Sequence, residues 1–354
     1  MLREIDLARL LDTGDPRTYW VGVVMPPAGF NFAIFGGFGY VPGNGTTTGA
    51  RTRTTALVGP GWYTNPTGAR DGVARELGHN FGRLHAPCGA VLSGFDVEFP
   101  NAGGLIGAPG HDVYSWWKGL TSSAPIVTSD VGDVMGYCQR PWASPYTYDA
   151  ALRFRRAGGV VGASAQNSRH PVLIVQGSIE NGRVTLDPAF TATTFPTQPE
   201  SVGLYRLDGF DNLGRVLFSY AFAPALIDHA VSVGHFTFAI PLTDALRGSL
   251  TTLRVSSGTV SVERSSAMSA VALKQSATLS AARGVTLVRN AVGGLVATCT
   301  DRNSAGILVQ EGSRGALLAT NASSTATFTA RSGSSISVQC SDGVRSATDT
   351  RRSP

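Results

Sequence analysis

The chain has 354 residues, 42% of them apolar and only 15% charged, with a formal net charge of +5. That balance excludes a disordered chain and a coiled coil, and the length is enough for two or three domains that each bury a core. The positive excess is almost all arginine, Lys118 and Lys274 being the only lysines; the arginines are scattered, so no nucleic-acid surface is expected.

Residues 2–11 read as an amphipathic helix with Leu2, Ile5, Leu7, Leu10 and Leu11 as its apolar positions. The stretch "MLREIDLARLLDTGDPRTYW" has no basic segment followed by an apolar core, so no signal peptide is read, and the chain is expected to be N-terminally truncated. Residues 18–50 carry no charge, yet Gly22, Pro26, Pro27, Gly29, Gly36, Gly37, Gly39, Pro42 and Gly43 interrupt them. A spanning helix is excluded by those breaks; buried strands and turns are predicted, and no membrane span. All five tryptophans, Trp20, Trp62, Trp116, Trp117 and Trp142, fall before residue 165, which marks the first part as the chemical domain.

The stretch "VARELGHNFGRLHAPCG", residues 73–89, carries the strongest chemical signal. Taken as a helix from Asp71 followed by a turn, it places Val73, Ala74, Leu77, Phe81 and Leu84 on one stripe and positions 75, 79 and 82 on the other side. The apolar stripe is expected to anchor the helix and the opposite face to meet a cleft. Gly82 can adopt the left-handed conformation that ends the helix and turns the chain, letting His85 approach His79. Downstream, "SDVGDVMGYCQRPW" puts Met135 and Tyr137 just before Cys138. The four cysteines divide by position into Cys88 with Cys138 and Cys299 with Cys340, without the tight spacing of a structural zinc site; two disulfides and a secreted or extracytoplasmic location are expected. A bond between Cys88 and Cys138 would clamp Met135 and Tyr137 beside the two histidines.

"RAGGVVGASAQNS", residues 156–168, reads as a linker, after which the pattern turns to period-2 strands. "VLIVQGSIENGRVTLDPAF" places Asn181 and Gly182 between two strand runs, a hairpin signal because that turn needs positive φ at both residues. Further runs at "GLYRLDGFDNLGRVLFSYAF", "HFTFAIPL" and "TTLRVSSGTVSVE" complete an all-β domain over 169–264. After a Ser/Ala-rich link at 265–282, six short strand runs fill a small β domain over 283–345, with a disordered tail predicted for the last ten residues. His170, His229 and His235 show no ligand spacing and read as structural or surface residues.

The run Arg75-Glu76-Leu77-Gly78-His79-Asn80-Phe81-Gly82-Arg83-Leu84-His85, followed by Asp133-Val134-Met135-Gly136-Tyr137, resembles the metzincin zinc peptidases, whose pattern is HExxHxxGxxH with a later methionine turn. Every position matches except the first, and the resemblance covers about residues 1–150. It implies an α+β metzincin-like catalytic domain over 1–165, followed by two all-β sandwich-like domains, in a bacterial secreted type of enzyme. It further implies that His79 and His85 are two of three Zn2+ ligands and Glu76 the base that takes a proton from water attacking a peptide carbonyl. Met135 would form the floor beneath the metal, Tyr137 would stand near the zinc or the oxyanion, and a peptide or protein would be the substrate. The Gly-rich run at 34–41 would be the edge strand on which extended peptides pair.

Arg75 occupies the position of the expected first ligand. A guanidinium stays protonated and has no lone pair to offer. At about 4 Å from a divalent ion, with an effective dielectric near 20, it would repel the ion by roughly 8 kcal/mol, set against an apparent zinc affinity of about 10–16 kcal/mol. Zinc binding is therefore expected to be weakened. Two escapes remain: Arg75 swings into solvent, or another side chain supplies the third ligand, His111 being the nearest candidate. The sequence thus supports two functions, an impaired zinc metalloendopeptidase scaffold and a catalytically inactive pseudopeptidase that binds peptides or surfaces.

Overall fold

Strand is the commonest regular structure among the described residues. A computed structural model describes residues 2–12, 18–24, 37–41, 54–58, 66–89, 94–120, 125–138, 141–156, 168–199, 203–228, 230–266, 284–312 and 315–354. The helix Leu2–Leu11 comes first, then β1 (Trp20–Val24), β2 (Gly37–Val41), β3 (Thr54–Val58) and the helix Pro66–Asn80. β4 (Gly110–His111) and β5 (Ile126–Val127) make a two-stranded ladder, and the helix Pro145–Arg156 follows. The chain then runs through β6 (His170–Glu180), β7 (Arg183–Leu186), β8 (Phe190–Thr194), β9 (Tyr205–Phe210), β10 (Val216–Phe222), β11 (Ala225–Ile227), β12 (Ala230–Pro241), β13 (Thr252–Ser257) and β14 (Val260–Ser265). The C-terminal part holds β15 (Val285–Arg289), β16 (Leu295–Cys299), β17 (Gly306–Glu311), β18 (Ala316–Asn321), β19 (Thr325–Phe328), β20 (Ser335–Ser341) and β21 (Ser346–Arg352).

The largest sheet has the order β1-β3-β2-β11-β12-β6-β7, with β8 also on β6. β1 and β3 are parallel, while the joint between β2 and β11 is antiparallel, pairing Tyr40 with Ile227 and Val41 with Leu226. The turn between β6 and β7 has positive φ at both Asn181 and Gly182, the conformation its sequence demands. A second sheet, β10-β9-β13-β14, packs over this one: its Leu207, Phe222, Leu253 and Val255 share a core with Leu173, Val175, Phe236, Phe238 and Ile240. On the other face of the large sheet, Leu7 and Leu11 of the first helix meet Val172, Ile174, Phe190 and, from the C-terminal part, Leu308.

Two further sheets, β15-β16-β19 and β18-β17-β20-β21, enclose the last core, through which the Cys299–Cys340 disulfide passes. The second disulfide joins Cys88 and Cys138. Both bonds are compatible with an extracellular location. Among the described residues no helix is long and apolar enough to cross a membrane.

This architecture corrects the expected fold class, an α+β metzincin-like catalytic domain followed by two sandwich-like β domains. Among the described residues strand accounts for 45% and helix for 18%, in sheets that do not divide that way. The physical reason lies in β2: its free hydrogen-bonding edge is completed by β11, so strands from the first part and from the following β region build one sheet. β2 is paired with β3 over Gly37–Gly39 and with β11 over Tyr40–Val41, so the described part of that run is an interior strand and not the expected edge strand; residues 34–36 lie outside the described residues, as does most of each linker read at 156–168 and 265–282. The C-terminal residues expected to be disordered form β21, which pairs with β20 from Ser346 to Arg352. Its polar, mostly exposed sequence lacks an apolar face because it is an edge strand of its sheet.

The tightest constraint in the large sheet is Gly177 of β6. A Cβ there would stand 2.2 Å from the Phe236 ring and 2.2 Å from the Thr185 carbonyl oxygen. Gly177→Ala is expected to destabilise the protein by about 1–3 kcal/mol in urea unfolding, because the backbone oxygen cannot yield.

Candidate metal centre

The helix Pro66–Asn80 lies against β2 by its polar side. Glu76, Gly78, His79 and Asn80 are buried, whereas Ala74 is exposed and Val73, Leu77, Phe81 and Leu84 are half-buried. The predicted anchoring stripe is thus not the buried one. Bare backbone on β2 makes the reversal possible: a Cβ on Gly37 would fall 2.8 Å from Glu76 Oε1, and one on Gly39 would fall 3.2 Å from the His79 Cβ. Asn80 Nδ2 then donates to the Tyr40 carbonyl, completing the seal between helix and strand.

The helix ends with Gly82 at φ +79°, with Arg83 N donating to Gly78 O and Gly82 N to His79 O. This is the glycine-terminated arrangement that satisfies the last carbonyls and reverses the chain. His85 then enters a short parallel bridge with Phe95, and its ring centroid comes to 4.6 Å from that of His79. Arg83 is held from outside the helix: its Nη2 contacts Asp96 Oδ2 at 2.8 Å, the Tyr146 hydroxyl donates to the same carboxylate, and the guanidinium lies over the Tyr146 ring. The Arg83 carbonyl accepts from His79 Nδ1 at 2.8 Å. A carbonyl can only accept, so that contact places the proton on Nδ1 and leaves the Nε2 lone pair facing inward.

Inward of His79 stands Asp228, in the turn between β11 and β12. Its Oδ1 accepts from Gly39 N at 2.6 Å, its own N donates to Gly39 O, and its Oδ2 lies 3.6 Å from His79 Nε2. His79, His85 and Asp228 each offer one ligand atom, and these atoms all lie within 4.8 Å of one another, every residue buried. Two imidazoles and a carboxylate are a donor set suited to zinc, whose bonds of about 2.0–2.2 Å place tetrahedral ligand atoms about 3.3–3.5 Å apart. A modest contraction of the group would meet that requirement. The donors therefore fit a metal ion.

Met135 is buried, with its sulfur against Gly78 under the helix. The segment that carries it is fixed by Asp133, whose carboxylate accepts from Met135 N and Ser144 N, and by Ala86 N donating to Met135 O. Tyr137 N donates to Cys88 O beside the Cys88–Cys138 bond, and the Tyr137 hydroxyl lies 3.3 Å from His85 Nε2. Burial pushes the Tyr137 phenol up to about 12 against the opposing pull of Arg75, with Asp228 and Glu76 adding to the rise. Burial also holds the Glu76 carboxyl well above the usual carboxylate range, Asp228 adds to this, and Arg75 opposes it.

Arg75 does not swing into solvent. Its side chain is 15% exposed, its Cζ lies 4.5 Å from the centroid of the Tyr137 ring, and its Nε is 3.5 Å from Glu76 Oε1. His111 sits on the exposed β4–β5 ladder and belongs to no potential ligand group among the described residues. The third donor is Asp228, which the sequence reading did not select; its only local signal is a carboxylate directly after the apolar run Ala225–Ile227. Gly82, Glu76, His79, His85, Met135, Tyr137, Cys88 and Cys138 converge around this group, whereas Cys299 and Cys340 staple the distant C-terminal part. His229 lies outside the described residues. No protein-family model matches the chain, and no curated protein matches it.

One histidine near this junction reports on its packing. His235 of β12 shares a 2.8 Å hydrogen bond with the Tyr40 hydroxyl, and burial, aided by Arg3, pulls its pKa down to about 4. A folded value below the unfolded value of about 6.5 means that the unfolded chain binds the proton first. The corresponding stability, about 3 kcal/mol, is present above pH 6.5 and is lost as pH falls towards 4. Titration of the His235 ring followed by NMR, with urea melts between pH 7 and 4 on the natural chain and on His235→Gln, is expected to show that loss only in the natural chain.

Proposed function

We propose that the chain is a secreted zinc-dependent peptidase in which Asp228 takes the place of the histidine that Arg75 displaces. The observation that carries this reading is the buried convergence of His79, His85 and Asp228 beside the Glu76 carboxylate. The residue pattern from Glu76 to His85, with Met135 downstream, supports it by resemblance to the metzincin peptidases; the support is local to the site and does not extend to the fold.

His79, His85 and Asp228 would hold a zinc ion, which when bound would supply Lewis acidity and lower the pKa of water towards neutrality. Glu76 takes the proton from the attacking water and returns it to the leaving amine, a role that suits a buried carboxylate with a raised pKa. Tyr137, beside His85, would donate a hydrogen bond to the developing oxyanion, its raised pKa keeping the phenol protonated. His79 is kept in one tautomer by the Arg83 carbonyl, and Met135 closes the underside of the helix against water.

A second reading, a peptide-binding protein without hydrolysis, is favoured by one observation: the Arg75 cation stays at the site, 3.5 Å from Glu76. The two readings separate in one experiment. Zinc content by mass spectrometry after dialysis is expected to be near one per chain, and Asp228→Ala is expected to weaken zinc binding at least about 100-fold in a chelator competition. Glu76→Gln is expected to keep the zinc and to lose about 10²–10⁴-fold in cleavage of a general peptide substrate. Zinc binding with no cleavage by the natural chain selects the binding protein, and zinc binding that survives Asp228→Ala refutes the ligand assignment.

A further inference from the structure

Arg75 belongs to neither the ligand set nor the proton path. It lies one helical turn before His79, and its charge is held at the site by the Tyr137 ring and by the 3.5 Å ion pair with Glu76. That separation is too long for a good hydrogen bond. The buried Nε has no hydrogen-bond partner among the described residues. A guanidinium offers five N–H donors in a planar fork, and donors held away from water without acceptors cost free energy. With 15% of its side chain still exposed, Arg75 can be reached from outside. Arg75 therefore keeps a donor to spare for a carboxylate, on a guanidinium that stands beside Glu76 and the candidate ligands.

We propose that Arg75 is a specificity-determining residue that binds a substrate carboxylate lying within about one residue of the bond to be cleaved. The peptidase reading supplies the word substrate; carboxylate recognition itself rests on Arg75 alone. Two sources share the chemistry, the C-terminal carboxylate of a peptide and the side chain of an internal Asp or Glu. The first would make the protein trim free C-termini, the second would make it cleave beside acidic residues.

The test uses binding as its readout, on the full chain treated with chelator so that no metal can hold the carboxylate. Three probes are compared by calorimetry: an N-acetylated apolar dipeptide acid, its C-terminal amide, and an N-acetylated aspartyl dipeptide amide. The expected result is that one acid binds about tenfold or more tightly than the neutral amide. The acid that wins identifies the source. Arg75→Gln is expected to abolish the preference and Arg75→Lys to keep part of it, because lysine retains the charge without the fork. Equal binding of all three probes, absence of saturable binding by either acid, or a preference that persists in Arg75→Gln overturns the proposal. A chain that prefers the acid yet takes up no zinc would sink the peptidase reading and leave carboxylate recognition standing.

Discussion

Gly39 and Asp228 are tied to each other twice, once through backbone N–H to carboxylate and once through backbone N–H to carbonyl. The site depends on this pair of bonds. They extend the β2–β11 ladder by one residue and aim the remaining carboxylate oxygen of Asp228 at His79. They also fix the strand over which Glu76 lies, where a larger residue than glycine would leave no room. The helix can bury its polar face only because the strand beneath it presents backbone, and the carboxylate can be buried only because backbone donors receive it.

Charge explains why an arginine is tolerated in such a place. Exchanging a neutral histidine for the pair Arg75 and Asp228 adds one positive and one negative group, so the total charge of the site stays as it was. Glu76 stands close enough to Arg75 to share its charge, while Asp228 raises the cost of ionising Glu76. The Arg75 and Asp228 charges act in opposite directions on Glu76 and on Tyr137, so the field of the cation at the site is opposed by that of the carboxylate.

The sequence made several local features legible. The positive-φ turn at Asn181 and Gly182, the Gly82 helix end and both disulfides follow from chemistry that acts over a few residues or from simple pairing of positions. His79 and His85 were readable because i to i+6 across a glycine turn is a local geometry. Asp228 was not, since its nearness to His79 exists only through the pairing of β2 with β11, which no period or spacing encodes. The same joint hid the fold class: β2 lay within a run read as a strand, but the three residues of β11 were not read as one, and nothing in the side chains announced that the two share a sheet. The misjudged helix face has a related cause, because the glycines that allow Glu76 and His79 to be buried lie on another element. β21 was missed because an exposed edge strand needs no apolar alternation.

The β2–β11 joint also sets the order in which the protein can come into being. A ribosome releases the Glu76–His85 segment long before it reaches Asp228, and closing so long a loop is an entropic cost that only later contacts offset. The early chain consequently carries two histidines and a carboxylate base without the third donor. The group of His79, His85 and Asp228 is therefore assembled only after β11 and β12 have been synthesised and the large sheet has closed.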